Sequence, residues 1–227
     1  FKDGKLKTND VVVVTYSAMV AANATIAGAG NKNTAQLEYN GKHSTKEETT
    51  TYVWKLNVHK YALDSKNKEV ALSGAKFVLY RKDDTDKKYY ATLTGSKIDN
   101  WVTDENNATT LVTSGEGNIL IEGLNVGTYY LEETEAPAGY NKLTKPIEVK
   151  ITATSDATGV SETVEYKNSS ETSYTKATDA TVKVLNKAGT QLPSTGGIGT
   201  TLFYVIGGGL MAVAAVLLVT KKRMNSK

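Results

Sequence analysis

Between residues 51 and 188, apolar and polar side chains alternate in short runs, the period of a strand with one buried face. The runs cover residues 52–61, 75–81, 89–93, 118–121, 128–134, 147–152, 162–166 and 181–185, and they are rich in Val, Ile, Thr and Tyr. Turn-forming clusters separate them: Asp83-Asp84-Thr85-Asp86, Asp104-Glu105-Asn106-Asn107, Gly115-Glu116-Gly117 and Pro137-Ala138-Gly139. Short strands at such steady intervals predict an all-β sandwich. The end of the chain follows another pattern. Residues 202–219 form an unbroken apolar run, close to the length of about 20 residues that spans a bilayer. Gly207, Gly208 and Gly209 suit a membrane helix better than a soluble one, and Lys221, Lys222 and Arg223 follow at once. That cluster is expected to stay cytoplasmic, which retains the tail in the membrane and places everything upstream outside the cell.

Composition narrows the chemistry. The 227 residues include no cysteine, which excludes thiol nucleophiles, cysteine zinc sites and thioesters, and also the usual staple of a secreted protein. The net charge of +3 is small and partly terminal, so no nucleic-acid footprint is expected. His43 and His59, the two histidines, lie in separate segments and predict surface positions rather than a metal site. Asp83, Asp84 and Asp86 lack the twelve-residue calcium loop with its bidentate Glu, and a hairpin turn accounts for them. No Ser-His-Asp signature or phosphate loop stands out, so neither an enzyme nor a cofactor is expected. Phe1-Lys2-Asp3-Gly4 has no basic segment leading into an apolar core, so the export signal is expected upstream of Phe1.

Just before the apolar run stands Leu192-Pro193-Ser194-Thr195-Gly196, and with the span and the basic tail it resembles the cell-wall sorting signal of Gram-positive bacteria. The resemblance implies that a sortase attacks the Thr195 carbonyl, releases the chain from Gly196 onward and passes the acyl group to an amine. Pro193 keeps the segment extended, as an enzyme groove requires. Leu72-Ser73-Gly74-Ala75-Lys76-Phe77-Val78-Leu79 and Gly123-Leu124-Asn125-Val126-Gly127-Thr128-Tyr129 resemble a strand and a turn of the SpaA-type, or Cna-B, domains of surface pilins. From Tyr129 to Tyr140 the chain is similar to the pilin E-box at every fixed position, including Leu131, Glu133, Thr134, Ala136, Pro137 and Gly139. The family implies an inverse immunoglobulin-like sandwich over residues 51–188, a linker with the sorting motif over 189–201, a transient membrane helix over 202–219 and a cytoplasmic tail over 220–227. Residues 1–50 resemble the closing strands of a preceding pilin domain, at Val11 to Ala18 and Asn33 to Asn40, with Asn33 or Asn40 as its own cross-linking residue. The implied protein is a wall-anchored backbone pilin of the cell surface. Its partners would be sortase, neighbouring pilin subunits, peptidoglycan and, transiently, the membrane. An accessory or tip adhesin that uses the domain as a stalk and meets host surface ligands is the alternative. A wall-anchored enzyme with its catalytic domain upstream is a third reading. The polymerising lysine is expected upstream of Phe1.

Period-two alternation adds a chemical oddity. Lys60 continues the face of Trp54, Leu56 and Val58; Glu133 that of Tyr129 and Leu131; and Asn186 that of Val182 and Val184. An ammonium, a carboxylate and an amide are thus each expected on a core-facing stripe. An apolar pocket can lower a lysine pKa to about 5–6 and raise a glutamate to about 8–9. Neutral Lys60 would then be a nucleophile for the Asn186 amide, with Glu133 as proton shuttle. SpaA-type domains are known for a self-made Lys–Asn isopeptide bond, and these three positions match the family's three. A buried ion pair without a bond, or strand ends that let Lys60 and Asn186 reach water, are the competing readings. Asn168 shares a face with Val164 and Tyr166 and is the rival acceptor.

Overall fold

The computed structural model describes residues 11, 13–16, 21, 23–39, 41–157, 159–189, 211 and 221. They fall into two compact units, residues 1–137 with 142–187 and residues 138–141 with 188–227. In the first unit four short strands come first: β1 (Asn31–Ala35), β2 (Glu38–Tyr39), β3 (Lys42–His43) and β4 (Glu47–Thr51). β1 pairs antiparallel with β4, and β2 with β3, each as a separate two-stranded ladder. Nearly every described side chain of these strands is exposed, so backbone pairing and surface contacts hold them, such as Lys32 to Glu48 at 3.1 Å. In the run from Val11 to Ala18, expected as a strand, the described residues 11 and 13–16 join no ladder, and Val11, Val13, Val14 and Tyr16 are exposed. A run of valines has no polar face, so a strand there needs apolar cover on both sides. The described residues give it none.

The remaining strands are β5 (Trp54–Leu63), β6 (Glu69–Ala71), β7 (Lys76–Lys82), β8 (Lys88–Thr94), β9 (Lys97–Val102), β10 (Leu111–Val112), β11 (Asn118–Leu124), β12 (Gly127–Glu135), β13 (Ile147–Asp156), β14 (Gly159–Lys167), β15 (Thr175–Lys176) and β16 (Thr181–Leu185). They make one sheet in the order β15-β14-β13-β12-β7-β8-β9-β11-β5-β16, with β10 on β7 and β6 on β5. Several strands separate β5 from β12 along this path, yet Lys60 of β5 touches Glu133 of β12. The sheet therefore curls over on itself, and its two facing layers close on one core that includes Trp54, Leu56, Phe77, Leu131, Ile151 and Val182. β5 shows why: its buried and less buried positions alternate strictly, so one face is buried from Trp54 to Ala62, apolar but for Lys60.

β16 lies parallel to β5, with Val182 opposite Val58 and Val184 opposite Lys60. The first and last strands of the sandwich are thus neighbours. Sequence patterning missed β6, β9, β10 and β15. In β9, Lys97-Ile98-Asp99-Asn100 shows neither alternation nor a buried stripe. The cluster at Asp104 is one turn of 3-10 helix, Glu105–Asn107, with the Asp104 carboxylate accepting from the Asn106 amide as its cap. The acidic cluster at Asp83 is a hairpin turn: its carboxylate accepts from Thr85 and Lys87 backbone amides at 2.8 and 3.1 Å. Hydrogen bonds to Thr85 hold the Asp83 carboxyl below its ordinary pKa.

In the second unit Tyr140 bridges to Ala188, and the Gly189 amide donates to the Gly139 carbonyl at 2.8 Å. The sorting motif (Leu192, Pro193, Ser194, Thr195, Gly196), the span at 202–219 apart from Met211, Lys222, Arg223 and Asn40 lie outside the described residues. Among the described residues no helix is long and apolar enough to cross a membrane.

Candidate functional site

Three strands far apart in sequence bring Lys60, Glu133 and Asn186 together. All three residues are buried, Lys60 at 0 % exposure and the other two at 1 % over the whole residue. Lys60 Nζ donates to Asn186 Oδ1 and lies 3.1 Å from Glu133 Oε1. Asn186 Nδ2 donates to the same carboxylate oxygen at 3.0 Å. The other oxygen, Oε2, accepts from the backbone N–H of Leu143 at 2.7 Å. Local backbone features set these positions. In the β7–β12 ladder the register shifts between Glu133 and Glu135, a bulge that follows directly on the functional side chain. Asn186 stands one residue past β16 and still donates its N–H to the Tyr61 carbonyl at 2.9 Å.

Lys60 itself is clamped through its backbone, since its N–H donates to Gly117 O at 2.7 Å and its carbonyl accepts from Leu72 N at 2.8 Å. Gly117 has φ of +74°, and a Cβ there would stand 2.3 Å from the Lys60 carbonyl oxygen. Only glycine lets the two backbones approach so closely.

Burial pushes the Lys60 amine down to a pKa of about 8, while the charge and hydrogen bond of Glu133 hold it up against that loss of solvent. The shift is smaller than a bare apolar pocket would give because the pocket contains a carboxylate. At neutral pH about a tenth of such amines are neutral. The Phe77 ring, directly opposite Glu133 in the ladder, lies with its centroid 5.6 Å from the Lys60 nitrogen. The site therefore holds an amine of reduced basicity against an amide oxygen, with one carboxylate oxygen in reach of both the amine and the amide nitrogen. Such a group is placed for proton transfer between the two nitrogens.

Asn168 lies elsewhere. β14 ends at Lys167, and the Asn168 amide turns to Glu171 at 3.4 Å beside a surface cavity of about 470 Å³ that Tyr130, Lys145 and Glu148 also line. His59 Nδ1 meets Asn118 Oδ1 at 2.8 Å, and His43 is exposed on β3. Asn33 is exposed and donates to the Tyr16 hydroxyl. Among the described residues no group of three or more His, Asp or Glu side chains is placed to hold a metal. Sequence reasoning missed three contributors to the site: the Phe77 ring, the Gly117 backbone and the Leu143 amide.

Residues 54–170 match the model of the SpaA family, a prealbumin-like fold domain, and residues 185–226 match the LPXTG cell wall anchor motif. Comparison with curated proteins gave no match. Among solved structures, the pilus 2b backbone protein of group B streptococcus is 27% identical, with 75% of this chain and 54% of that one covered and a TM-score of 0.44. The SpaE basal pilin from Lactobacillus rhamnosus GG is 20% identical over 60% of this chain and 47% of that one, with a TM-score of 0.46. For the full-length major pilin RrgB of Streptococcus pneumoniae the values are 21%, 72%, 38% and 0.41. The chain spans about half the length of the first two. Its anchor motif makes it a cell-wall-anchored surface protein. With the domain match running over more than half of its length, from the first strand of the curled sheet to the turn after β14, the chain belongs to the SpaA prealbumin-like domain family.

Proposed function

We propose that this chain is a structural subunit of a sortase-assembled pilus, locked by an isopeptide bond between Lys60 and Asn186 and joined through Thr195 to the next subunit or to the wall. The observation that carries the bond is the fully buried contact of Lys60, Glu133 and Asn186. An ion pair buried at this depth is a weak source of stability, whereas a neutral amide removes the buried amine altogether. One Nζ proton passes to Glu133 Oε1 and frees the amine, which attacks Cγ of Asn186. A second Nζ proton reaches Nδ2 through the carboxyl, and ammonia leaves. The Nζ–Cγ bond replaces the Cγ–Nδ2 bond, and Glu133 remains as the neutral acid. Each molecule reacts once on itself, so the protein is a substrate of sortase and a structural part rather than an enzyme.

The shaft role rests on the family and the anchor motif. Residues 1–50 are read as the end of a preceding domain, since β1 and β4 form a ladder separate from the main sheet. Intact mass tests the bond: the folded chain is expected to weigh one ammonia less than its sequence dictates, and Lys60→Ala, Glu133→Ala or Asn186→Ala each to restore the full mass. Restoration by Asn168→Ala alone would move the acceptor to the turn after β14. For assembly, wall extracts are expected to give an SDS-resistant ladder that Thr195→Ala abolishes; a ladder that persists removes Thr195 from the linkage.

A further inference from the structure

The two oxygens of Glu133 are not equivalent. Oε1 stands 3.1 Å from Lys60 Nζ and 3.0 Å from Asn186 Nδ2, while Oε2 takes the Leu143 N–H at 2.7 Å and is turned away from the chemistry. A carboxyl that moves a proton from one nitrogen to the other must carry it on the oxygen that faces both. An oxygen already accepting an N–H cannot hold a proton along that line without setting two hydrogens against each other. Leu143 lies in the segment between β12 and β13, and its half-buried side chain packs on the main core. The core thereby fixes the amide, and the amide fixes the carboxyl.

We infer that the backbone amide of Leu143 is a positioning group for the bond-forming step, holding Glu133 Oε2 so that the travelling proton is confined to Oε1. The inference rests on the isopeptide reading above. Loss of the Leu143 N–H frees Oε2, so the carboxyl can turn about its Cγ–Cδ bond and Oε1 leaves its place between the two nitrogens. Among the described residues Lys60 is the one ionisable side chain in hydrogen-bond or ion-pair contact with Glu133. On the same strand Glu132 pairs with Lys88 and Glu135 with Lys76, while Lys183 of β16 pairs with Glu69.

The test uses cell-free synthesis of the whole chain, a chase at neutral pH, an acid quench and intact mass to follow loss of ammonia. Replacing Leu143 with its α-hydroxy acid exchanges the N–H for an ester oxygen at nearly constant shape; Leu143→Ala keeps the N–H and trims the side chain. The ester is expected to react about tenfold or more slowly, as loss of a hydrogen bond to a charged group predicts. Leu143→Ala, which keeps the N–H, should slow far less than the ester. An ester with the wild-type rate overturns the inference. So does a Leu143→Ala chain as slow as the ester, which would make the segment merely structural. A wild-type chain that never loses ammonia sinks the bond itself, a failure visible before any variant is made.

Discussion

The two faces of the sheet at β5 carry the same kind of ion pair with opposite outcomes, the inner one from β5 to β12 and the outer one from β16 to β6 across β5. On the inner face Lys60 meets Glu133 at 3.1 Å with both side chains at 0 % exposure; on the outer face Lys183 meets Glu69 at 2.8 Å with both about half exposed. Burial pushes the inner amine down to about 8, whereas the hydrogen bond to Glu69 raises the outer one. The partner is a glutamate in both cases, so pairing does not decide the direction. Solvent does. An exposed pair lets water share the charge and keeps the lysine an ammonium, while a dry pocket makes the free amine accessible near neutral pH. The Asn186 amide is a partner of the inner pair alone.

The largest test of this contrast removes the acceptor. With Asn186→Ala no bond can form, and the lost cross-link closes a loop of more than 100 residues, which chain entropy values at about 5 kcal/mol. Chemical denaturation is expected to show a loss of that order; a loss below about 1 kcal/mol would mean that no cross-link had been present. The same variant sharpens the contrast through pH. Its folded state binds fewer protons than the unfolded chain between about 8 and the ordinary lysine value of 10.5. Stability should therefore rise with pH across that window, by about 3 kcal/mol in all. A flat profile would place the Lys60 amine in water.

Gly117→Ala comes next. A methyl 2.3 Å from the Lys60 carbonyl, on a backbone at φ +74°, should cost about 2 kcal/mol in denaturant and slow the loss of ammonia by displacing the strand that carries the amine. Wild-type stability would show that the two backbones separate freely. The smallest effect belongs to the outer face. Lys183→Ala should cost about 0–1 kcal/mol and leave the rate of ammonia loss unchanged. A slowed reaction would show that the outer pair sets the register of β16.

The inner face was legible because side-chain alternation reports burial directly. Lys60 follows Trp54, Leu56 and Val58 at every second position, and all four are buried. The same rule misled at Asn168, since alternation holds only while the strand lasts and β14 ends one residue earlier. It failed also for β9, whose polar residues are held by pairing with β8 rather than by a buried stripe. At Val11 the composition was that of a strand, but a strand needs a neighbour and composition does not supply one. Leu143 was invisible for a deeper reason: it acts through its N–H, which every residue but proline has, and only the path of the backbone brings it to Glu133.

The parallel pairing of β5 and β16 has a consequence for extension. Pulling on the chain ahead of β5 and behind β16 loads their ladder in shear, so its rungs share the load instead of opening one by one. With a covalent rung from Lys60 to Asn186, the loaded path would cross from one strand to the other after only residues 54–60. Everything between, roughly 400 Å of contour length at the extended rise per residue, would be hidden from the pull. A fibre built of such units would transmit a tug almost without lengthening.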